Sequence, residues 1–292
     1  MTTYLDPDVL ARVRALELEV QRVVEGMLAG AHKSPRHGFA VEFAQHREYV
    51  PGDDVKHIDW KVFGRTERYY LKQYDLETDF TAWLVVDASG SMRYKSGTIS
   101  KYDYASVLAA SLAHLVLNQS DRVGLAIVDN SVRRLLKPSG HSGHISEVIR
   151  SLAMGAESNE SRLGVVLQDL AGRIGKREVV IVLSDFLDEP SEMIDAARRL
   201  KFDRHEVIAV RVVDPAEEDF PFAAATLFRG LELPSEVLAD PSGLRKAYQE
   251  EFDAHYRELT SGLRQLNAEV LAVRTDENPG TALLRFLSER QR

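Results

Sequence analysis

At 292 residues, with 44% hydrophobic and 28% charged side chains, the chain has the composition of an ordinary globular protein, and one α/β domain with an extra subdomain is expected. A formal net charge of −8, from 45 acidic against 37 basic residues, disfavours general binding to nucleic-acid phosphates, and the basic residues do not cluster beyond short pairs such as Arg133–Arg134 and Arg198–Arg199. With no cysteine, disulfides and thiolate chemistry are excluded. The absence of thiols suits a reducing cytoplasm. No apolar run of about 18 residues offers a membrane span. The polar, acidic start lacks the pattern of a signal peptide, so a cytoplasmic location is expected.

The first periodic segment covers 6–29. Val9, Val13, Leu16, Val20, Val23 and Met27 alternate spacings of four and three, which puts them on one helical face. Asp6 can cap this helix, with Pro7 in the first turn. Packing on its own domain is expected over a coiled-coil seam, which would be short. From 38 to 79 the pattern becomes extended and is broken by the turn signal Pro51-Gly52-Asp53-Asp54. Residues 1–79 are therefore read as a helix plus β extension packed on a main domain of 80–292.

Within that main domain, Trp83-Leu84-Val85-Val86 is a compact apolar run ending at Asp87, the mark of a central strand covered on both faces. A helix over 100–118 should bury Ala105, Leu108, Leu112, Leu115 and Val116. Strands are expected at 123–128, hairpinned with 132–136, then at 179–183, 205–213 and 268–274. Helices are expected at 144–154, 163–174, 190–202 and 241–266, with a closing helix around 283–287. Alternation of this kind implies a doubly wound, mostly parallel sheet. Ligands on such sheets sit at the carboxyl ends of the strands. Asp87 and Asp185 end the two most apolar strands.

Asp87-Ala88-Ser89-Gly90-Ser91 has the form D-x-S-x-S directly after a buried strand. Alternate residues of a tight loop can send three oxygens toward one point, and Gly90 is expected to permit a sharp backbone path. One carboxylate and two neutral hydroxyls supply part of the six-oxygen set that Mg²⁺ takes, and leave the ion electrophilic toward an acidic side chain from outside. By themselves the residues leave a second reading open, in which Ser89 and Ser91 merely cap the loop and the helix that follows.

This strand and loop, with a later strand ending in Ser184-Asp185, resemble the metal-ion-dependent adhesion site of von Willebrand factor A domains. Arg47-Glu48-Tyr49-Val50-Pro51-Gly52-Asp53-Asp54, Ile58-Asp59-Trp60 and Arg65 narrow the resemblance to the bacterial family known as domain of unknown function fifty-eight. Ser100-Lys101, Tyr104-Ala105, Asp121-Arg122-Val123-Gly124-Leu125, Asp214-Pro215, Glu217 and Phe220-Pro221-Phe222 are also similar to that family. The resemblance runs over nearly the whole chain and implies a von Willebrand factor A-like α/β fold with an N-terminal extension. It also implies Mg²⁺ (or Mn²⁺ or Ca²⁺) at Asp87, Ser89, Ser91 and Asp185, with Ser161 in the place of the family's threonine and Ser158 as its rival. The implied partners are a protein offering an acidic side chain and a MoxR-type AAA+ ATPase. Glu157 and Glu160 flank the Ser161 loop, and one of them is expected to be able to swing in and occupy the vacant metal position.

Three functions stay in view. Metal-dependent protein recognition, as an adaptor in protein or complex maturation and without catalysis, leads. A metal-assisted hydrolase or phosphatase on the same sheet is the enzyme alternative, though Ser89 stands where dehalogenase-type phosphatases carry their second aspartate. A metal-independent scaffold is the third. Arg47, Asp53, Asp54, Asp59 and Trp60 read better as a turn and docking joint than as an active site, with Arg47 or Arg65 pairing Asp59. The 9 histidines make no H-x-x-x-H or H-E-x-x-H pair, and His141 and His144 are expected at the solvent.

Overall fold

The computed structural model describes the backbone of residues 7–30, 43–48, 70–74, 81–157 and 160–289. The chain divides into two compact units, Met1–Gly30 with Thr81–Arg292, and Ala31–Phe80. In the second unit, β1 (Phe43–Glu48) pairs antiparallel with β2 (Tyr70–Tyr74). The turn at Pro51–Asp54 and the residues Asp59, Trp60 and Arg65 lie outside the described residues, as do Asp6 and Ser158.

The first unit is built on six strands: β3 (Thr81–Asp87), β4 (Arg122–Val128), β5 (Val132–Ser139), β6 (Val179–Ser184), β7 (Glu206–Val213) and β10 (Glu269–Arg274). Their order is β10-β7-β6-β3-β4-β5, all parallel except the β4–β5 hairpin. Every residue of β3 and β6 is buried. That is why these strands read as unbroken apolar runs, since a strand covered on both faces has no polar side to alternate with.

Alternate residues serve opposite faces. Trp83 and Val85 point into a core closed by α4 (Leu163–Ala171), α5 (Pro190–Phe202) and α7 (Pro241–Gln265). Leu183 and Val210 meet Leu108 and Leu112 of α2 (Lys101–Asn118) and Leu283 and Phe286 of α8 (Pro279–Glu289) on the other. The N-terminal helix α1 (Pro7–Gly30) packs on α2, on α8 and on α3 (His144–Leu152). Val13, Leu16, Val20 and Val23 form its buried stripe, as their spacing requires.

In α2, Ala105, Leu108 and Leu112 are buried, but Leu115 and Val116 are only half-buried. His144 departs from expectation. It is 6% exposed and its Nε2 lies 2.9 Å from the Val123 carbonyl oxygen, so this histidine ties α3 to β4 while His141 stays at the solvent.

Three elements escape the sequence pattern: a single turn α6 (Pro215–Asp219) and the hairpin of β8 (Thr226–Arg229) and β9 (Glu236–Ala239), which forms a separate two-stranded sheet. Leu227, Val237 and Leu238 on this hairpin are exposed, so it carries no alternation to reveal it.

Strand register fixes one tight contact. Trp83 and Gly124 are direct partners in β3 and β4, and a Cβ on Gly124 would sit 2.7 Å from the indole ring. The ring is held from its far end by Nε1 donating to Glu178 at 2.7 Å. Gly124→Ala should therefore cost about 1–3 kcal/mol by overpacking. Urea unfolding checks this, and a loss that disappears in a Trp83→Leu background identifies the ring as the cause.

Candidate functional site

The carboxyl ends of β3, β4, β6 and β7 each terminate at an aspartate: Asp87, Asp129, Asp185 and Asp214, all buried. Parallel strands in register deliver these groups to one edge, and each is handled differently. Asp214 is satisfied by donors alone: Ser96 N and Oγ at 2.8 and 2.5 Å, and Ala216 N at 2.9 Å. It caps α6 in a reciprocal box with Glu217, which accepts from the Asp214 N–H at 3.0 Å. Asp129 accepts from Ser131 N and lies 3.5 Å from the Arg133 guanidinium.

Asp87 and Asp185 have no such local solution. Asp87 accepts from Ser89 N at 2.9 Å and from the Ser184 hydroxyl at 2.6 Å. Burial, with the nearby charge of Asp185 added, still pushes its carboxyl up to about 7. Asp185 is met by Lys101 Nζ at 2.7 Å, and the same ammonium reaches Glu217 at 2.5 Å. Lys101 is fully buried at the first position of α2, just after the Ser100 cap. A helix amino end disfavours a cation. The two carboxylates hold it there and keep it protonated well above the ordinary lysine range.

The serines of the D-x-S-x-S loop stand together, with the hydroxyls of Ser89 and Ser91 at 3.2 Å. Ser161 gives its hydroxyl to Asp188 at 2.8 Å, and Asp188 also accepts the Leu163 N–H at the start of α4. Burial raises the Asp188 carboxyl, with Asp185 and Glu232 adding to the effect. Of the two flanking acids, Glu157 is exposed and ion-paired to Arg133, and Glu160 lines the neighbouring cleft. The carboxylate that touches both serine loops belongs to neither of them. Glu232, from the tip between β8 and β9, accepts from Ser91 N at 3.2 Å and from Ser161 N at 3.1 Å.

Gly90 serves a different purpose from the one expected. Its φ of −60° and ψ of −39° are open to any residue, so no sharp path demands glycine. What demands it is proximity: a Cβ there would lie 2.5 Å from the Leu231 carbonyl oxygen and 2.9 Å from Glu232 Cγ.

Of the residues that the sequence singles out, Asp87, Ser89, Ser91, Ser161 and Asp185, the structure sets the first three in one loop with Asp185 close enough to act on Asp87. Sequence reasoning missed the roles of Lys101, Glu217, Asp188 and Glu232. Ser100-Lys101 and Asp214-Pro215 with Glu217 had stood out only through family resemblance, and a buried lysine facing two acids leaves no spacing signal. Among the described residues no group of three or more His, Asp or Glu side chains could hold a metal. A cation at this edge would have to rely on hydroxyl donors as well as carboxylates.

Among the described residues no helix is long and apolar enough to cross a membrane. The family model described as "Protein of unknown function DUF58" matches residues 45–258. Uncharacterized protein Rv1480 of Mycobacterium tuberculosis is 28% identical over 98% of this chain and 91% of its own length. Among solved structures, BatB from Bacteroides thetaiotaomicron aligns over 73% of this chain and 98% of its own, at 14% identity and a TM-score of 0.47. The SpRpn10 VWA domain aligns over 70% of this chain and 94% of its own, at 12% identity and a TM-score of 0.39.

Lys101→Met should strand Asp185 and Glu217 as buried charges and cost about 3–5 kcal/mol. Adding Glu217→Gln to it should recover part of the loss in denaturant unfolding. A loss under about 1 kcal/mol would show that the ammonium is not what balances this edge.

Proposed function

Because this chain belongs to the DUF58 family, whose description assigns no activity, we propose from the site itself that it is a protein-recognition domain holding a divalent cation, Mg²⁺ or Mn²⁺, at the carboxyl edge of its sheet. The observation that carries the reading is the pair Asp87 and Asp185, two buried carboxylates of which only Asp185 meets the Lys101 ammonium, set beside the paired hydroxyls of Ser89 and Ser91. Asp87, Ser89 and Ser91 hold the ion on this reading, with the remaining oxygen of Asp185 and the hydroxyl of Ser161 completing the protein's share.

The donor set fits such an ion. Oxygens about 2.1 Å from Mg²⁺ in octahedral order stand about 3.0 Å from their neighbours. The 3.2 Å separation of the Ser89 and Ser91 oxygens matches that spacing. Ser161 already gives its proton to Asp188, which leaves its lone pairs free and fixes its direction. A bound dication would supply a Lewis-acidic position open to an incoming carboxylate. The chain's own residues orient that position: Ser184 pins Asp87, Lys101 pins Asp185, and the N–H groups of Ser91 and Ser161 face the place where a carboxylate sits.

Partnership with a MoxR-type AAA+ ATPase, in maturation of a client protein, completes the proposal and rests on the family resemblance. Catalysis is not part of it. Ser89 occupies the place where a dehalogenase-type phosphatase needs its second carboxylate.

Mg²⁺ at about 100 times its Kd should raise unfolding stability by about 2.7 kcal/mol. Asp87→Ala should abolish both that gain and any heat in a calorimetric titration. Partner capture from lysate should then require Mg²⁺ and fail in EDTA. Binding that survives EDTA and Asp87→Ala alike would defeat the proposal.

A further inference from the structure

The hairpin of β8 and β9 is the least anchored part of the main unit. Its strands are 4 residues each and pair only with one another. A two-stranded hairpin is marginal by itself, so contacts elsewhere must hold it. Two sets do so. Phe228 stacks on Phe220 and meets Phe222 edge-on, while Phe220 stacks on Tyr248 of α7. At the other end, the tip Gly230-Leu231-Glu232-Leu233-Pro234 lies on the D-x-S-x-S loop, with the Leu231 carbonyl and Glu232 Cγ against Gly90.

Glu232 is the one half-buried residue of that tip; Leu231 and Leu233 on either side of it are exposed. Its carboxylate accepts one N–H from each serine loop, as an incoming acidic side chain would. Beside it, a cleft of about 1030 Å³ opens between the hairpin and α7, lined by Phe222, Phe228, Val237, Leu244 and Tyr248 and reaching Ser91 and Ser161.

We infer that Glu232 is a built-in ligand, occupying the acceptor position of this site until a partner's acidic residue, flanked by aliphatic side chains, displaces it. The inference deepens the proposed function and rests on its claim that the site takes a carboxylate. It does not depend on the cation. The partner's chemistry follows from the segment it replaces: Leu-Glu-Leu, one carboxylate between two aliphatic side chains, with the apolar cleft receiving the flanks. The backbone of Gly90 makes the seat, because any larger residue would push the tip out. The exposed cross-strand pair Leu227 and Leu238 gives the released hairpin an apolar surface for the same partner to cover.

The test uses the full chain in four forms: wild type, Glu232→Ala, Glu232→Gln and Gly90→Ala. The last keeps the carboxylate but sets a methyl against the Leu231 carbonyl. Hydrogen exchange should speed up about tenfold or more at the Ser91 and Ser161 amides in all three variants, while β3 and β6 stay protected. The binding probe is a labelled synthetic peptide with the sequence of residues 229–235, and its Glu→Gln version is the control. The peptide should bind Glu232→Ala and Glu232→Gln roughly tenfold more tightly than wild type, Gly90→Ala should gain nothing because its methyl blocks peptide and tip alike, and the control should bind none of them. Equal binding to wild type and the two Glu232 variants, no binding to Glu232→Ala, or unchanged exchange at the two serine amides would overturn the inference. Running the titration in Mg²⁺ and in EDTA separates the two claims. Enhanced binding that is the same in both leaves the built-in ligand standing and removes the cation. Enhanced binding in Mg²⁺ alone supports both.

Discussion

Charge balance at the carboxyl edge of the sheet is the constraint on which the site depends. Four buried aspartates arrive there from β3, β4, β6 and β7. Burying an ionised carboxylate is tolerated only when donors or a cation replace its water. Asp214 is answered by a cap and two contacts from Ser96, and Asp129 by its turn and Arg133. Asp87 and Asp185 share one edge with Lys101 as the buried cation, and Glu217 draws on the same ammonium. The excess of negative charge shows itself in Asp87, whose carboxyl is pushed up to about 7 mainly by its burial and then by Asp185.

That arrangement follows from the way the strands are built. Runs such as Trp83–Val86 and Val179–Leu183 are apolar throughout because helices cover both faces, so the first polar residue in each marks the end of the strand. Val86 pairs with Leu183 across β3 and β6, which brings Asp87 level with Ser184 and lets the Ser184 hydroxyl donate to it. Ser89 and Ser91 add neutral hydroxyls beside them, and the N–H groups of Ser91 and Ser161 meet at Glu232. Neutral groups of this kind leave the negative excess uncorrected, and so leave room for a further cation.

The mostly parallel sheet and the flanking helices were legible in the sequence because each rests on a periodic signal: β3 and β6 as solid apolar runs, α1 and α2 as stripes of spacing three and four. The site was legible only in part. Asp87, Ser89 and Ser91 are local in sequence and show as a motif. The Lys101 bridge spans 84 residues to Asp185 and 116 to Glu217, and no local pattern encodes such a pair. Glu232 was invisible for a related reason. It lies at the tip of a short hairpin with Leu227, Val237 and Leu238 exposed, 141 residues from the Ser91 amide that it meets. Gly90 was noticed but misread, since a glycine kept for close approach looks the same in sequence as one kept for a turn.

Anomalous diffraction from crystals equilibrated with Mn²⁺ tests the central claim most directly, because it locates the ion without reference to any partner. The account requires one strong peak within about 2.5 Å of oxygens from Asp87, Ser89 and Ser91, a distance at the outer end of the range for hard divalent ions. No peak there at saturating Mn²⁺, with the Lys101 contacts to Asp185 and Glu217 intact, would mean that the ammonium alone balances this edge and that no metal site exists.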